Sequence, residues 1–164
     1  MSLPSYALEP DVERSFSLAG LRSFRLADGR TYAVVAHDPA LRLIHDFWVG
    51  GFESEEEFRA VLAYVLEQMR RGGYVLWLAD LRHLTSSFMA SRHWLVEELM
   101  PQAIAAGLVR EAVVLPPQLD APEGFDVFGS ASAALRDLAD GRIRGFHDLG
   151  AAKRWLLEGR LPGH

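Results

Sequence analysis

The stretch Tyr74-Val75-Leu76-Trp77-Leu78-Ala79-Asp80-Leu81-Arg82-His83-Leu84-Thr85-Ser86-Ser87 decides how the rest of the chain is read. Its first six residues are uncharged, mostly large and without polar alternation, which is the pattern of a strand covered on both faces, as in the middle of a parallel sheet. A strand is therefore expected over Tyr74–Ala79. It is expected to end at Asp80, with Arg82, His83, Thr85, Ser86 and Ser87 in a loop at its carboxyl end.

Outward from that strand, the flanking segments read as helices. Ser54 followed by Glu57 is a capping box, and Phe58, Val61, Leu62, Val65, Leu66 and Met69 recur at spacings of three and four. Arg70-Arg71 and Gly72-Gly73 suit the end of that helix. Downstream, a second helix is expected from about Phe88 to Ala106, with Trp94, Leu95, Leu99, Ile104 and Met89 facing inward. Pro101 lies inside it and predicts a kink, or two consecutive helices meeting, near Met100.

Further from the centre, Thr31–His37 and Leu41–Val49 form β-rich runs joined by Asp38-Pro39-Ala40, a hairpin signature. In the second run His45 shares a face with Leu41, Leu43, Phe47 and Val49, and is expected to be a hydrogen-bonded core histidine. Phe24–Leu26 is a candidate additional short strand before the turn Asp28-Gly29. Beyond the second helix, Arg110–Leu115 is a strand, Phe125–Ala139 a helix, Arg142–Phe146 a strand, and Asp148 caps a final helix carrying Leu149, Ala152, Trp155 and Leu156. Residues 1–22 are read as an N-terminal extension and 23–164 as one α/β domain.

The chain has 164 residues, the size of one domain, with 49 % hydrophobic and 24 % charged residues, an ordinary globular composition. Its net charge of -5, with no Lys/Arg concentration, argues against nucleic acid as a partner. The absence of cysteine removes disulfides, Cys-zinc sites and thiol nucleophiles. No apolar run approaches the roughly 20 residues of a spanning helix, and no signal-peptide pattern opens the chain, so a cytoplasmic location is expected.

The element order β-β-α-β-α-β-α-β-α, with the phrases Trp48-Val49-Gly50, Leu78-Ala79-Asp80-Leu81-Arg82 and Pro101-Gln102-Ala103-Ile104-Ala105-Ala106-Gly107-Leu108, resembles the STAS-like group. In particular it resembles small bacterial SpoIIAA-like proteins, including those labelled STAS/SEC14. The resemblance spans about Arg30 to Leu157. It implies one STAS-like α/β domain, with a mostly parallel five-stranded sheet and an N-terminal antiparallel hairpin strand. STAS antagonists carry a phosphorylatable serine in an Asp-x-Ser-Gly-like loop after the corresponding strand. Here Asp80 is followed by Leu81-Arg82-His83, so that switch does not transfer to a given residue.

In open α/β sheets ligands bind beyond the carboxyl ends of the parallel strands. The candidate binding residues are accordingly Asp80, Arg82, His83, Thr85, Ser86 and Ser87, with Trp48 and Trp94 from the aromatic set. A hydroxyl before a helix is also the ordinary helix cap, and Asp80 the ordinary acceptor for loop amides. His93 and Glu97 stand one turn apart, which suits a surface ion pair better than a metal site, because no His-Glu-x-x-His motif accompanies them. No catalytic residues, metal or cofactor are expected. No Gly-x-Ser-x-Gly elbow supports a Ser87/His83/Asp80 triad, and dinucleotide and phosphate-loop signatures are missing.

The leading expectation is a non-enzymatic regulatory or protein-interaction module whose contact surface is the loop after the central strand. The alternative is a carrier of a small apolar or lipid-like ligand, with a hydrolase third. The partner is thus an unidentified protein or a small apolar ligand. Self-association as a homodimer, through the N-terminal extension or the aromatic-rich helix after Ser87, is left open.

Overall fold

Six strands pair in chain order in a computed structural model of the protein, which describes residues 18–116 and 142–158. They are β1 (Ala19–Arg25), β2 (Thr31–Asp38), β3 (Leu43–Gly50), β4 (Leu76–Leu84), β5 (Arg110–Val114) and β6 (Ile143–Phe146). The β1–β2 and β2–β3 pairs are antiparallel, and β3 to β6 run parallel. The architecture is a mixed α/β sheet, as the segment pattern predicts, but with six strands rather than five.

The additional strand begins at Ala19, inside the span read as an extension. Register shifts between Gly20 and Arg22 and between Phe24 and Arg25 break its side-chain alternation, so the sequence offers only Phe24–Leu26 as a candidate for it. A tight turn returns the chain to β2: Gly29, at φ 93°, donates to the Leu26 carbonyl, and the Asp28 carboxylate accepts from Arg30 N at 3.0 Å.

Helix α1 (Glu55–Gly72) follows β3 and forms as its sequence requires. Ser54 Oγ accepts from Glu57 N at 3.3 Å, and Glu57 Oε1 accepts from Ser54 N at 2.9 Å, which together satisfy amides that no helical carbonyl reaches. Gly73 ends the helix in the left-handed region at φ 67°, where a Cβ would be strained.

β4 does not end at Ala79. It continues to Leu84 because β3 still offers a pairing edge there, through Val49↔His83 and Gly50↔Leu84 beyond a bulge. Asp80, Arg82 and His83 therefore sit on a strand and not in a loop.

The following helical segment comprises a 3-10 turn (Met89–Ser91), α2 (Arg92–Trp94), a π-helical turn (Leu95–Leu99) and α3 (Met100–Ala105). The expected kink takes the form of that π turn. Pro101 has no N–H and its ring would crowd the carbonyl four residues back. The chain widens by one residue instead, with Met100 N–H bonding Leu95 O, while Gln102 Nε2 donates to Glu98 O at 2.8 Å. Leu99, Met100 and Ala103 are buried, whereas Trp94, Leu95 and Ile104 pack partly buried against the core; the Met89 side chain lies outside the described residues.

The last helix, α4 (Leu149–Leu157), is capped by Asp148, whose Oδ2 accepts from Ala151 N at 2.9 Å. The expected helix at Phe125–Ala139 lies outside the described residues.

Two cores result, one on each face of the sheet. Trp77, Ala79 and Leu81 of β4 join Ile44, Trp48, α1 and α3 on one face. Leu76 and Leu78 join Leu43, Ala112, Val114 and α4 on the other. The period of two along β4 thus serves both cores, which is why its sequence lacks polar alternation.

A candidate ligand cavity between the sheet and its helices

The α1-side face of the sheet buries two carboxyl groups. On β3, the pleat that sends Ile44 and Trp48 into this core sends Asp46 there too, and Asp46 is 0 % exposed. Trp48 Nε1 donates to its Oδ2 at 2.6 Å, and Trp77 Nε1, from β4, donates to its Oδ1 at 2.5 Å. Burial pushes the Asp46 carboxyl up to about 6, while the two indole donors pull the other way.

On β5, Glu111 pairs in register with Trp77 and is 6 % exposed. Among the described residues no side-chain hydrogen bond or ion pair engages its carboxyl group. Burial, and then the neighbouring Asp46, hold its pKa well above the usual carboxylate range. The two carboxyls flank Trp77, one from each neighbouring strand.

Above them lies a cavity of about 70 Å³. Its walls include Trp48, Trp77, Phe58, Phe88, Leu95 and Met100, and Asp46, Glu111 and Arg92 also line it. The Phe58 and Phe88 rings stack at 5.2 Å between centroids, and Trp48 lies 5.2 Å from Phe58. The volume equals several water-sized spheres, so the space admits a small molecule or the head of a larger one.

The residues singled out from sequence fall into three places. Trp48 lines the cavity. Trp94 does not; it packs beside it, with the Arg59 guanidinium 5.4 Å from its ring. Asp80 and Arg82 meet on β4: Asp80, 0 % exposed, accepts from Arg82 N at 3.2 Å and from the guanidinium at 3.0 and 2.9 Å. A contact surface at this end of β4 would consist of the exposed His83, Thr85 and Ser87 rather than Asp80.

Ser86 is a stitch between loops. Its Oγ accepts from Phe52 N at 3.0 Å and donates to Phe52 O at 2.9 Å, tying the end of β4 to the segment after β3. Gly51 beneath it has room for no side chain: a Cβ there would stand 2.6 Å from Ser86 Oγ. The hydroxyl caps a loop, and not the following helix.

On the α4 face, His45 is 1 % exposed and neither ring nitrogen has a hydrogen-bond partner among the described residues, contrary to the expectation of a bonded core histidine. Burial lowers its pKa to about 4; Asp80 opposes that shift, while Lys153 and Arg82 add to it. Lys153, the only lysine in the chain, is itself 1 % exposed on α4. His93 Nδ1 stands 3.7 Å from Glu97 Oε1, both side chains exposed. Among the described residues no three His, Cys, Asp or Glu side chains are grouped to hold a metal ion.

Asp46 and Glu111 were missed as site residues. The available signal was an isolated acid in each of two otherwise β-rich runs, since carboxylates are rarely buried without a reason.

No family model, curated protein or solved structure matches the chain. The resemblance to STAS-like proteins rests on the sequence phrases that carry it. No helix among the described residues is long and apolar enough to cross a membrane.

Proposed function

We propose that the protein is a carrier of a small, largely apolar ligand held between the sheet and the α1 to α3 layer. The observation that carries this reading is the aromatic-walled cavity closed at its floor by the buried Asp46 and Glu111. A core that merely packed would close such a space with side chains at the usual interior density. The Glu111 carboxyl lines this space and has no hydrogen-bond partner among the described residues, which leaves it able to answer a ligand. Apolar walls with a few convergent polar groups are the general form of a small-molecule site. The small volume favours a compact ligand over a whole lipid chain. The interaction-module reading draws less support, because Asp80, its centre, is occluded and bound to Arg82.

Native mass spectrometry of gently purified protein, with tryptophan fluorescence during titration of small arenes and alkanols, tests the reading. Trp48 and Trp77 line the cavity, so an occupant perturbs their emission. Val113→Phe, which fills the cavity from β5, is expected to abolish that response while leaving a cooperative melt. Absence of both a co-purifying ligand and any fluorescence response would overturn the proposal.

A further inference from the structure

The polar groups of the cavity are unbalanced. Both indole N–H donors are already committed to Asp46 at 2.5 and 2.6 Å. Each Asp46 oxygen retains a further lone pair, and Glu111 has no hydrogen-bond partner among the described residues although it is 6 % exposed. What remains unspent at the floor is the bonding capacity of two carboxyl groups that burial biases toward the protonated form and that a bound cation would hold ionised, within walls that include Trp48, Trp77, Phe58 and Phe88. An anion would meet two carboxyl groups, and the basic side chain available to it on the cavity wall is Arg92. A purely apolar ligand would fill the walls and leave Glu111 unanswered. A cation with N–H groups on an apolar body answers both surfaces, because charge-assisted hydrogen bonds to the carboxyls are about twice as strong as neutral ones and the apolar body fills the walls.

We propose that the ligand is a small organic ammonium ion, a primary amine on a short apolar or aromatic body, whose N–H groups bond Glu111 and Asp46. This rests on the carrier reading and names its ligand class. Arg92 is the basic group lining the cavity, and it defines the competing arrangement, in which a carboxylate ligand pairs with the guanidinium.

The test uses two matched sets at pH 7: isobutylamine, isobutanol and isobutyrate, and benzylamine, benzyl alcohol and benzoate. Binding is read by calorimetry and tryptophan fluorescence. The amines are expected to bind roughly tenfold more tightly than the matched alcohols, the alcohols weakly and the carboxylates not at all. In Glu111→Gln the amine is expected to fall to the level of its alcohol while alcohol binding persists. Glu111→Leu serves the same purpose should the amide variant fold poorly. Alcohols or carboxylates binding as tightly as amines, or an amine preference that survives both variants, overturns the ammonium assignment and leaves the carrier reading intact. No binding by any of the six compounds removes both.

Discussion

His45 and Asp46 are adjacent on β3 but face opposite sides of the sheet, and burial moves their pKa values in opposite senses, to about 4 and about 6. His45 stays neutral in the fold, so its contribution to stability is present above the unfolded pKa of 6.5 and is lost as pH falls toward 4. Asp46 binds its proton more tightly when folded. Its contribution is therefore fullest below the unfolded pKa of 3.8 and is lost as pH rises through about 6. Each effect amounts to about 3 kcal/mol, so between pH 7 and 4 they nearly cancel.

Removing one member exposes the other. In His45→Leu, stability measured by urea denaturation is expected to rise relative to the parent by about 3 kcal/mol on going from pH 7 to pH 4.5. Parallel profiles for the two proteins would show that His45 does not titrate as the structure requires.

Trp77→Phe leaves Asp46 Oδ1 without its indole donor. The loss is expected to be largest where Asp46 is ionised: about 1.5–3 kcal/mol at pH 8 beyond any packing cost, and clearly less at pH 5. Equal losses at both values would mean that the donor does not stabilise the charged form.

Glu111→Leu removes a buried carboxyl with no hydrogen-bond partner among the described residues. A rise in stability of about 1–3 kcal/mol is expected. Because the folded pKa of Glu111 is raised, its burden grows as pH climbs through that pKa, and the gain should be greater at pH 9 than at pH 5. Thermal melts at the two values decide it; destabilisation at pH 9 would contradict the account.

Gly51 and Ser86 should be coupled. Ser86→Ala gives up both bonds to Phe52 and is expected to cost about 1–3 kcal/mol. Gly51→Ala drives a Cβ to 2.6 Å from Ser86 Oγ and should also destabilise. In the double variant the 2.6 Å clash goes with the hydroxyl, leaving the tighter-than-usual approach to Thr85 Oγ1 at 3.0 Å, so the combined loss should fall below the sum of the single losses by at least about 0.5 kcal/mol. Strict additivity would refute the contact.

The local devices were legible in the chain itself. The Ser54–Glu57 box, the Asp148 cap and the Gly73 stop depend on side chains reaching only a few residues along the backbone, so spacing alone reveals them. The α1 stripe and the two-sided burial of β4 follow from periods of 3.6 and 2. β1 was obscured because its bulges break that period, and β4 was cut short because polar residues at Asp80 and Arg82 resemble a loop until β3 is seen to pair with them.

The sequence by itself determined an α/β chain whose central strand is buried on both faces, since propensity, capping and periodicity are properties of neighbours along the chain. Only the tertiary structure decided where a ligand could sit. Asp46 and Glu111 lie 65 positions apart and meet through the parallel register of β3, β4 and β5 around Trp77, and Ser86 finds Phe52 across 34 residues. Such meetings are set by strand order and register, which depend on the packing of the whole sheet and leave no local trace in the residues that they join.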